Sequence, residues 1–290
     1  MTSAPVDLTE LRAVAERLAA EAADFVRRRR AEVFGDTGAT GASTGSATES
    51  GPAVRSKSTP TDPVTIVDTE TERLLRDRLA RLRPGEPILG EEGGQSGAAE
   101  RGRPVWVLDP IDGTVNFVYG IEAYAVSVGV QIDGESVAGA VADVAAGAVY
   151  SAARGYGAHL HRDGVTRRLR CSAATELSMA LVGTGFAYSA ELRRSQARIV
   201  ATLLPRVRDI RRIGSCALDL CMVAAGLLDA YYEEGVQVWD WAAAALIAAE
   251  AGARVRVPPP ERVGEPDGMV TAAAPGIDAA LRDALRAAAG

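Results

Sequence analysis

Trp106-Val-Leu-Asp-Pro-Ile-Asp-Gly-Thr-Val-Asn-Phe117 is the stretch on which the reading of this chain turns. The apolar run from Val105 to Asp109 predicts a buried strand that ends on a carboxylate. Pro110 then fixes a turn, and Asp112 follows three residues after Asp109. A bend there can aim both carboxylates and the intervening Ile111 carbonyl at one cation, and such an oxygen set suits Mg²⁺. Gly113 lets the chain come close to a ligand. Thr114 stands at an expected helix start, where free N–H groups favour an anion. One short segment can therefore hold a metal and a phosphate together. An Asp-Gly pair by itself also serves as a plain turn with an Asx cap.

Composition narrows the chemistry. The chain has three cysteines, Cys171, Cys216 and Cys221, and two histidines, His159 and His161. An odd, small cysteine count argues against a disulfide framework, and no Cys or His pair has zinc spacing. His159 and His161 are expected on the surface. A metal site must then be built from oxygen, which points to Mg²⁺ or Mn²⁺. The net charge of -6 makes the chain a poor generic binder of nucleic acid or of an anionic membrane. Its longest Ala-rich run, Trp241–Ala249, stops at Glu250 and is too short to span a bilayer. The N-terminus carries Asp7 and Glu10 rather than a basic-then-apolar leader, so a cytoplasmic location is expected. With 290 residues, 47% of them hydrophobic, the chain can bury a sizeable core as one large domain or two packed ones.

Working outward, Leu8, Leu11, Val14, Ala15, Leu18, Ala22, Phe25 and Val26 recur at helical spacing and predict a helix over 8–34. The Gly/Ser/Thr-rich segment 35–51 has no periodicity and is expected to be a flexible loop, with ordered sequence resuming near Lys57. An extended stretch over Pro63–Asp68 precedes a helix over Thr69–Leu82, and Pro84–Gly94 reads as a loop. Tyr124–Gln131, Val137–Ala142 and Ala148–Ser151 read as antiparallel strands joined by turns such as Asp133-Gly134. From about residue 165 strands and helices alternate. The strands are Leu181–Thr184, Val207–Ile213, Ala230–Glu233, Arg254–Val257 and Met269–Ala273. The helices are Ala190–Leu204, Ser215–Ala225, Trp241–Ala251 and Ile277–Ala288.

Four further segments carry candidate chemistry, each with a plain structural alternative. Gly90-Glu91-Glu92-Gly93 places two carboxylates in a glycine loop, as ligands or as exposed acids. Trp239-Asp240-Trp241 opens a helix, and Asp240 reads as its N-cap, a position compatible with facing a cleft. Asp62-Pro-Val-Thr-Ile-Val-Asp68 reads as a strand with a capping Asp. Gly214-Ser-Cys-Ala217 enters a helix beside Arg211 and Arg212, where it can bind an anionic substrate or simply pack.

In order and spacing these pieces resemble the inositol monophosphatase family over nearly the whole chain, from about residue 8 to 288. The matching residues are Lys57-Ser-Thr-Pro, Asp62-x-Val-Thr-x-x-Asp68, Gly90-Glu-Glu, Trp106 to Thr114, Ile213-Gly-Ser215, Asp229-Ala-Tyr-Tyr-Glu233 and Trp239-Asp240. The resemblance implies a layered α-β-α-β-α sandwich, with an α+β half over 1–165, including a flexible loop at 35–56, and an α/β half over 166–290. It implies Mg²⁺ as cofactor, inhibition by Li⁺ and a homodimer. It also implies roles. Glu91, Asp109 and the Ile111 carbonyl would hold an activating metal, and Asp109, Asp112 and Asp240 a second. Glu92 and Asp68 would stand in the shell around a further ion or water. Thr114 and Asp68, with Glu91, would orient the attacking water, while the N–H groups of Gly113 and Thr114 bind phosphate. Gly214, Ser215, Cys216 and Glu233 would meet the alcohol, and Lys57 would lie on a flap over the metals. Val115 and Gln237 depart from the family, which often has Thr or Ser, and His, at those places.

The expected activity is hydrolysis of a small phosphate monoester by metal-activated water, with inositol-1-phosphate as the substrate that the resemblance implies. The basic run Arg206–Arg212 leaves open fructose-1,6-bisphosphate, histidinol phosphate, NADP(H) or a nucleotide 3′-phosphate. A reading from another class is a regulatory protein that contacts the transcription machinery.

Overall fold

A computed structural model describes residues 6–35, 54–56, 63–259, 262 and 268–289. Most of the expected flexible loop, together with Lys57 and Asp62, lies outside the described residues.

The chain opens with α1 (Leu8–Phe34), β1 (Val54–Ser56), β2 (Pro63–Thr65) and α2 (Ile66–Leu82). Then come β3 (Ile88–Gly90), β4 (Gly94–Ser96), β5 (Pro104–Asp112) and α3 (Thr114–Tyr119). An antiparallel run follows: β6 (Ala125–Ile132), β7 (Glu135–Asp143), β8 (Ala148–Ala153), β9 (Ala158–Arg162) and β10 (Val165–Arg168). The remainder is β11 (Leu181–Thr184), α4 (Ala190–Leu203), β12 (Asp209–Arg211), α5 (Cys216–Ala224), β13 (Ala230–Glu234), α6 (Val238–Glu250), β14 (Arg254–Arg256), β15 (Met269–Ala273) and α7 (Asp278–Ala289).

The larger sheet has eight strands in the order β10-β9-β8-β7-β6-β5-β3-β4, antiparallel except where β3 runs parallel to β5. The smaller has five in the order β12-β11-β13-β15-β14, with β12, β11 and β13 parallel and β15 antiparallel to both its neighbours. The central strands of each sheet are buried on both faces, so they read as near-continuous apolar runs. On one side of the large sheet lie α1 and α2. The helical stripe Leu11, Ala15, Leu18, Ala22 and Val26 is fully or almost fully buried there against Val126, Val128 and Val137. On its other side α5 and α6 pack between the two sheets, bringing Ala217, Leu220, Ala243 and Ile247 together with Val141, Tyr231 and Val270. Ile199, Leu203, Leu281 and Leu285 of α4 and α7 cover the outer face of the small sheet. This is the expected α-β-α-β-α order. Each large apolar side chain sealed in these layers contributes about 1.5–3 kcal/mol, offset by the entropy of ordering the chain.

One contact fixes where α6 sits. Gly129 and Gly139 face each other in the β6–β7 register. A Cβ added at either would lie 2.9 Å from Ala242 or Ala243. Glycine in the sheet and alanine on the helix thus let the two backbones approach closely.

Several element boundaries differ from expectation, each for a local reason. Helix α2 begins at Ile66 rather than Thr69 because Thr65 and Asp68 form a capping box. Thr65 Oγ1 accepts from Val67 N at 3.1 Å, and Asp68 Oδ2 accepts from Thr65 N at 2.9 Å. The expected loop 84–94 contains β3 and leads into β4 at Gly94, three-residue strands too short for periodicity to reveal. Strand β5 does not stop at Asp109. It runs to Asp112, with its register on β6 shifting between those two residues, so the bend at Pro110 is an irregularity inside a strand rather than a turn after one. The expected strand 207–213 shortens to β12. Helix α6 starts at Val238 with Gln237 as N-cap. Asp240 is the third helical residue, closing a capping box by accepting from Gln237 N at 2.7 Å.

Candidate active site

The C-terminal end of β5, the β3–β4 turn, the first turn of α6 and the start of α5 meet around a cavity of about 560 Å³. Glu91, Asp109, Ile111, Asp112, Gly113, Thr114 and Asp240 line it. Gly214, Cys216 and Glu233 line it as well. Glu91, Asp109, Asp112 and Asp240, separated by as many as 149 positions in sequence, therefore share one cavity because the β3–β4 turn, the end of β5 and the first turn of α6 meet there.

Asp109, Asp112 and Asp240 are each braced by backbone or hydroxyl donors. Asp109 is 1% exposed, and its Oδ1 accepts from Ile111 N at 3.0 Å. Asp112 Oδ2 accepts from Ser215 Oγ at 2.5 Å and from Ala217 N at 2.7 Å, tying β5 to the first turn of α5. Burial pushes the Asp112 carboxyl up to about 6, and the nearby Glu91 adds to this against the pull of the Ser215 and Ala217 donors. Asp240 is raised well above the usual carboxylate range, by burial first and then by Asp112 and Glu91, while its bond from Gln237 N opposes the shift. The part of this elevation beyond burial is what crowded like charges produce.

Behind this wall, Asp68 is fully buried and does not line the cavity. Its Oδ2 accepts from Thr65 Oγ1 at 2.5 Å. Thr114 Oγ1 stands 3.3 Å from Asp68 Oδ1 and 3.0 Å from the Ile111 carbonyl, and its single proton goes to one of them. Burial lifts the Asp68 carboxyl to about 7, opposed by the Thr65 bonds and helped by Glu91 and Glu92. Glu92 also stands behind the lining, on the turn that presents Glu91.

The predicted substrate residues divide. Gly214, Cys216 and Glu233 line the cavity, whereas Ser215 is buried, caps α5 through Leu218 N at 3.1 Å and spends its hydroxyl on Asp112. Tyr231 Oη donates to Glu233 Oε2 at 2.5 Å. Burial raises the Glu233 carboxyl to about 7, with Tyr231 and Arg212 pulling it down. The Cys216 thiol is pushed well above its ordinary range by burial and by Glu233, which keeps it neutral. Gly113, at φ 94°, lies where a Cβ would meet the Ala123 carbonyl at 3.0 Å and the Gly214 carbonyl at 3.1 Å, so glycine is needed on both counts.

Sequence reasoning missed Phe186, Tyr188 and Leu192, which extend the cavity from the loop after β11 and the first turn of α4. Arg212, expected in a basic run and beside the Gly214–Ala217 helix start, also lines it. The available signal was positional: Gly185-Phe-Ala-Tyr-Ser189 follows the carboxyl end of a parallel strand, where open α/β sheets place their ligands.

The donor chemistry fits a hard divalent cation: all-oxygen, strongly acidic and partly desolvated. Among the described residues no three His, Cys, Asp or Glu stand together at metal-ligand spacing. The carboxylates form an open acidic wall rather than a closed cage. Such a wall can attract a cation, and through it a phosphate, with Arg212 across the cavity.

The profile of the inositol monophosphatase family matches residues 7–288. Inositol-1-monophosphatase SuhB of Mycobacterium tuberculosis is 63% identical over 289 residues, spanning 99% of this chain and 97% of that protein. A solved structure of Mycobacterium tuberculosis SuhB superposes with a TM-score of 0.80 at 58% identity, covering 98% of each chain. Nus factor SuhB of Xylella fastidiosa is 39% identical over 195 residues, 67% of this chain and 68% of that protein. No helix among the described residues is long and apolar enough to cross a membrane.

Proposed function

This chain belongs to the inositol monophosphatase family, a metal-dependent family of phosphoric monoester hydrolases, and on that premise we propose that it hydrolyses inositol-1-phosphate to inositol and phosphate with Mg²⁺ as cofactor. The observation that carries this reading is the shared cavity of Glu91, Asp109, Asp112 and Asp240, with the Thr114–Asp68 pair at its edge.

Glu91, Asp109, the Ile111 carbonyl, Asp112 and Asp240 would hold the cations, with Mn²⁺ as a substitute and Li⁺ as an inhibitor. Bound there, they would supply charge neutralisation for the phosphate dianion, a more acidic water and stabilisation of the departing alkoxide. The chain's own groups do the rest. Thr114 Oγ1, giving its proton to Asp68 Oδ1, is free to accept a proton from the attacking water. As the water oxygen forms its bond to phosphorus, the ester P–O bond breaks, and the alcohol oxygen takes up a proton from solvent. The N–H groups of Gly113 and Thr114 orient the phosphate. Glu233 accepts from hydroxyls of the alcohol, with Gly214 and Cys216 beside it. No covalent nucleophile is required, and the neutral, buried Cys216 thiol is a poor candidate for one.

The test is a side-by-side kcat/KM panel with Mg²⁺, comparing myo-inositol-1-phosphate with fructose-1,6-bisphosphate, histidinol phosphate, NADP and a nucleotide 3′-phosphate. Inositol-1-phosphate should lead by at least about tenfold, the scale of one or two substrate hydrogen bonds. Folded protein that releases no phosphate from it would remove this substrate. Release from another member of the panel would retain the reaction. We expect a cytoplasmic homodimer.

A second reading is favoured by the likeness to Nus factor SuhB: contact with the transcription machinery. An Asp112→Asn chain that loses hydrolysis but keeps its cellular effect would support it.

A further inference from the structure

Glu72 is buried, yet it stands outside the cavity and takes no part in the chemistry above. It follows Asp68 by one helical turn on α2, so both carboxylates leave the same face of that helix. Asp68 reaches Thr114, while Glu72 reaches the β3–β4 turn that carries Glu91. There Glu72 Oε2 accepts from Glu92 N at 2.7 Å and Oε1 accepts from Gly93 N at 2.8 Å. Arg76 Nε donates to the same Oε1 at 2.7 Å, and the Arg76 guanidinium also donates to the Gly94 carbonyl at 2.6 Å. The fit is tight. A Cβ at Gly90 would lie 2.5 Å from Glu72 Cδ, and one at Gly93 would lie 2.6 Å from Oε1. The turn wraps a carboxylate with successive backbone N–H groups, as an anion-binding nest does.

The consequence falls on Glu91. Its own N–H donates to the Leu108 carbonyl at 3.1 Å, which pins the near side of the residue to β5 beside Asp109. The peptide on its far side, the Glu92 N–H, is held by Glu72. Between the two anchors the Glu91 backbone has no freedom to swing. A buried charge is costly unless paired and hydrogen-bonded, and here Arg76 and two N–H groups meet that cost in the act of fixing the turn.

We propose that Glu72 is the positioning residue for Glu91, setting through the β3–β4 turn how tightly the site binds a divalent cation. This rests on the reading of Glu91 as a metal ligand. Partners that orient a ligand from behind change metal affinity by about tenfold to a hundredfold when removed.

The experiment measures Mn²⁺ dissociation constants by electron paramagnetic resonance, and the Mg²⁺ concentration for half-activation, on the full chain and four variants. Glu72→Gln keeps the shape but loses the charge, and it turns a donor toward one of the N–H groups. It should weaken Mn²⁺ binding by about tenfold to a hundredfold, with kcat recovering at high Mg²⁺. Amide exchange at Glu92 and Gly93 should quicken in the same variant without metal. Arg76→Ala leaves Glu72 in place and should weaken binding by less, about threefold to tenfold, providing a second reading if Glu72→Gln folds poorly. Leu79→Ala, on the buried face of the same helix, should lower Tm without moving the Mn²⁺ constant. Unchanged Mn²⁺ binding in both Glu72→Gln and Arg76→Ala would overturn the proposal, as would an equal loss in Leu79→Ala. Glu91→Gln separates the two levels. If it binds Mn²⁺ normally, the metal reading of Glu91 fails and the proposal with it. If Glu91→Gln loses Mn²⁺ while the Glu72 and Arg76 variants keep it, only the positioning role fails.

Discussion

The two walls of the cavity are built differently. The acidic wall stands on regular elements: Asp109 and Asp112 on β5, Asp240 in the first turn of α6, and Glu91 in a turn closed by three-residue strands. The braces on Asp109, Asp112 and Asp240 include a backbone N–H. The rest of the lining is mixed: Glu233 comes from β13, Cys216 and Leu192 from the first turns of α5 and α4, Phe186 and Tyr188 from the loop after β11, and the exposed Arg212 from the segment just past β12. Most groups proposed to meet the reacting atoms are fixed by sheet and helix, while part of the lining proposed to meet the alcohol, Phe186, Tyr188 and Arg212, rides on loops. On that proposal chemistry and specificity are separable within one cavity.

That separation can be tested. The largest effect is expected on the acidic wall. Asp112→Asn keeps the bonds from Ser215 and Ala217 within reach but removes a charge. It should lower kcat at saturating Mg²⁺ on the order of a thousandfold for every substrate, the scale of several kcal/mol of lost transition-state stabilisation. Near-normal turnover would refute the assignment. Thr114→Val should come next, with a loss in kcat of about a hundredfold and little change in KM, as befits a group that handles a proton rather than the alcohol. A KM effect of the same size would move Thr114 to the binding wall.

The smallest effect belongs to Glu233, and it should follow pH. Its carboxyl sits at about 7 in the folded chain against an ordinary 4.5. Between those values the folded state holds a proton that the unfolded state has lost, so this group's contribution to stability falls as pH rises from about 4.5 to about 7. Glu233→Gln should flatten that part of the stability curve. In the parent, KM for a hydroxyl-bearing substrate should fall as pH passes 7 and the acceptor form appears. For phenyl phosphate, which has no alcohol hydroxyls, it should stay level. A parallel pH response for both substrates would place Glu233 outside the alcohol-binding wall.

The acidic wall was also the legible one. Asp109-Pro-Ile-Asp112 announces itself because a strand, two acids and a glycine fall within a few residues. Long periodic elements such as α1 were equally plain. Asp240 was legible as a helix-start acid but misplaced by three positions, because a capping box puts an acid at the third helical residue as readily as at the cap. Ser215 was assigned to substrate, yet its hydroxyl braces Asp112. That pairing joins residues 103 apart, and no local pattern encodes it. Phe186 and Tyr188 were missed for the opposite reason: aromatic residues after a strand look like core until the fold shows a cavity beside them.

The glycine pair in β6 and β7 has a mechanical meaning. With Gly129 and Gly139 opposite Ala242 and Ala243, α6 rests in a notch of the sheet, and the helix that rests there carries Asp240. The notch works as a datum: it sets the zero from which the distance between Asp240 and the β5 carboxylates is measured. A single methyl group at Gly139 would act as a shim, lifting the helix and tilting its first turn. Misplacement of about 1 Å can cost a hundredfold in rate. The dimensional tolerance of the acidic wall is thus held on β6 and β7, one and two strands away from β5, by residues outside the cavity.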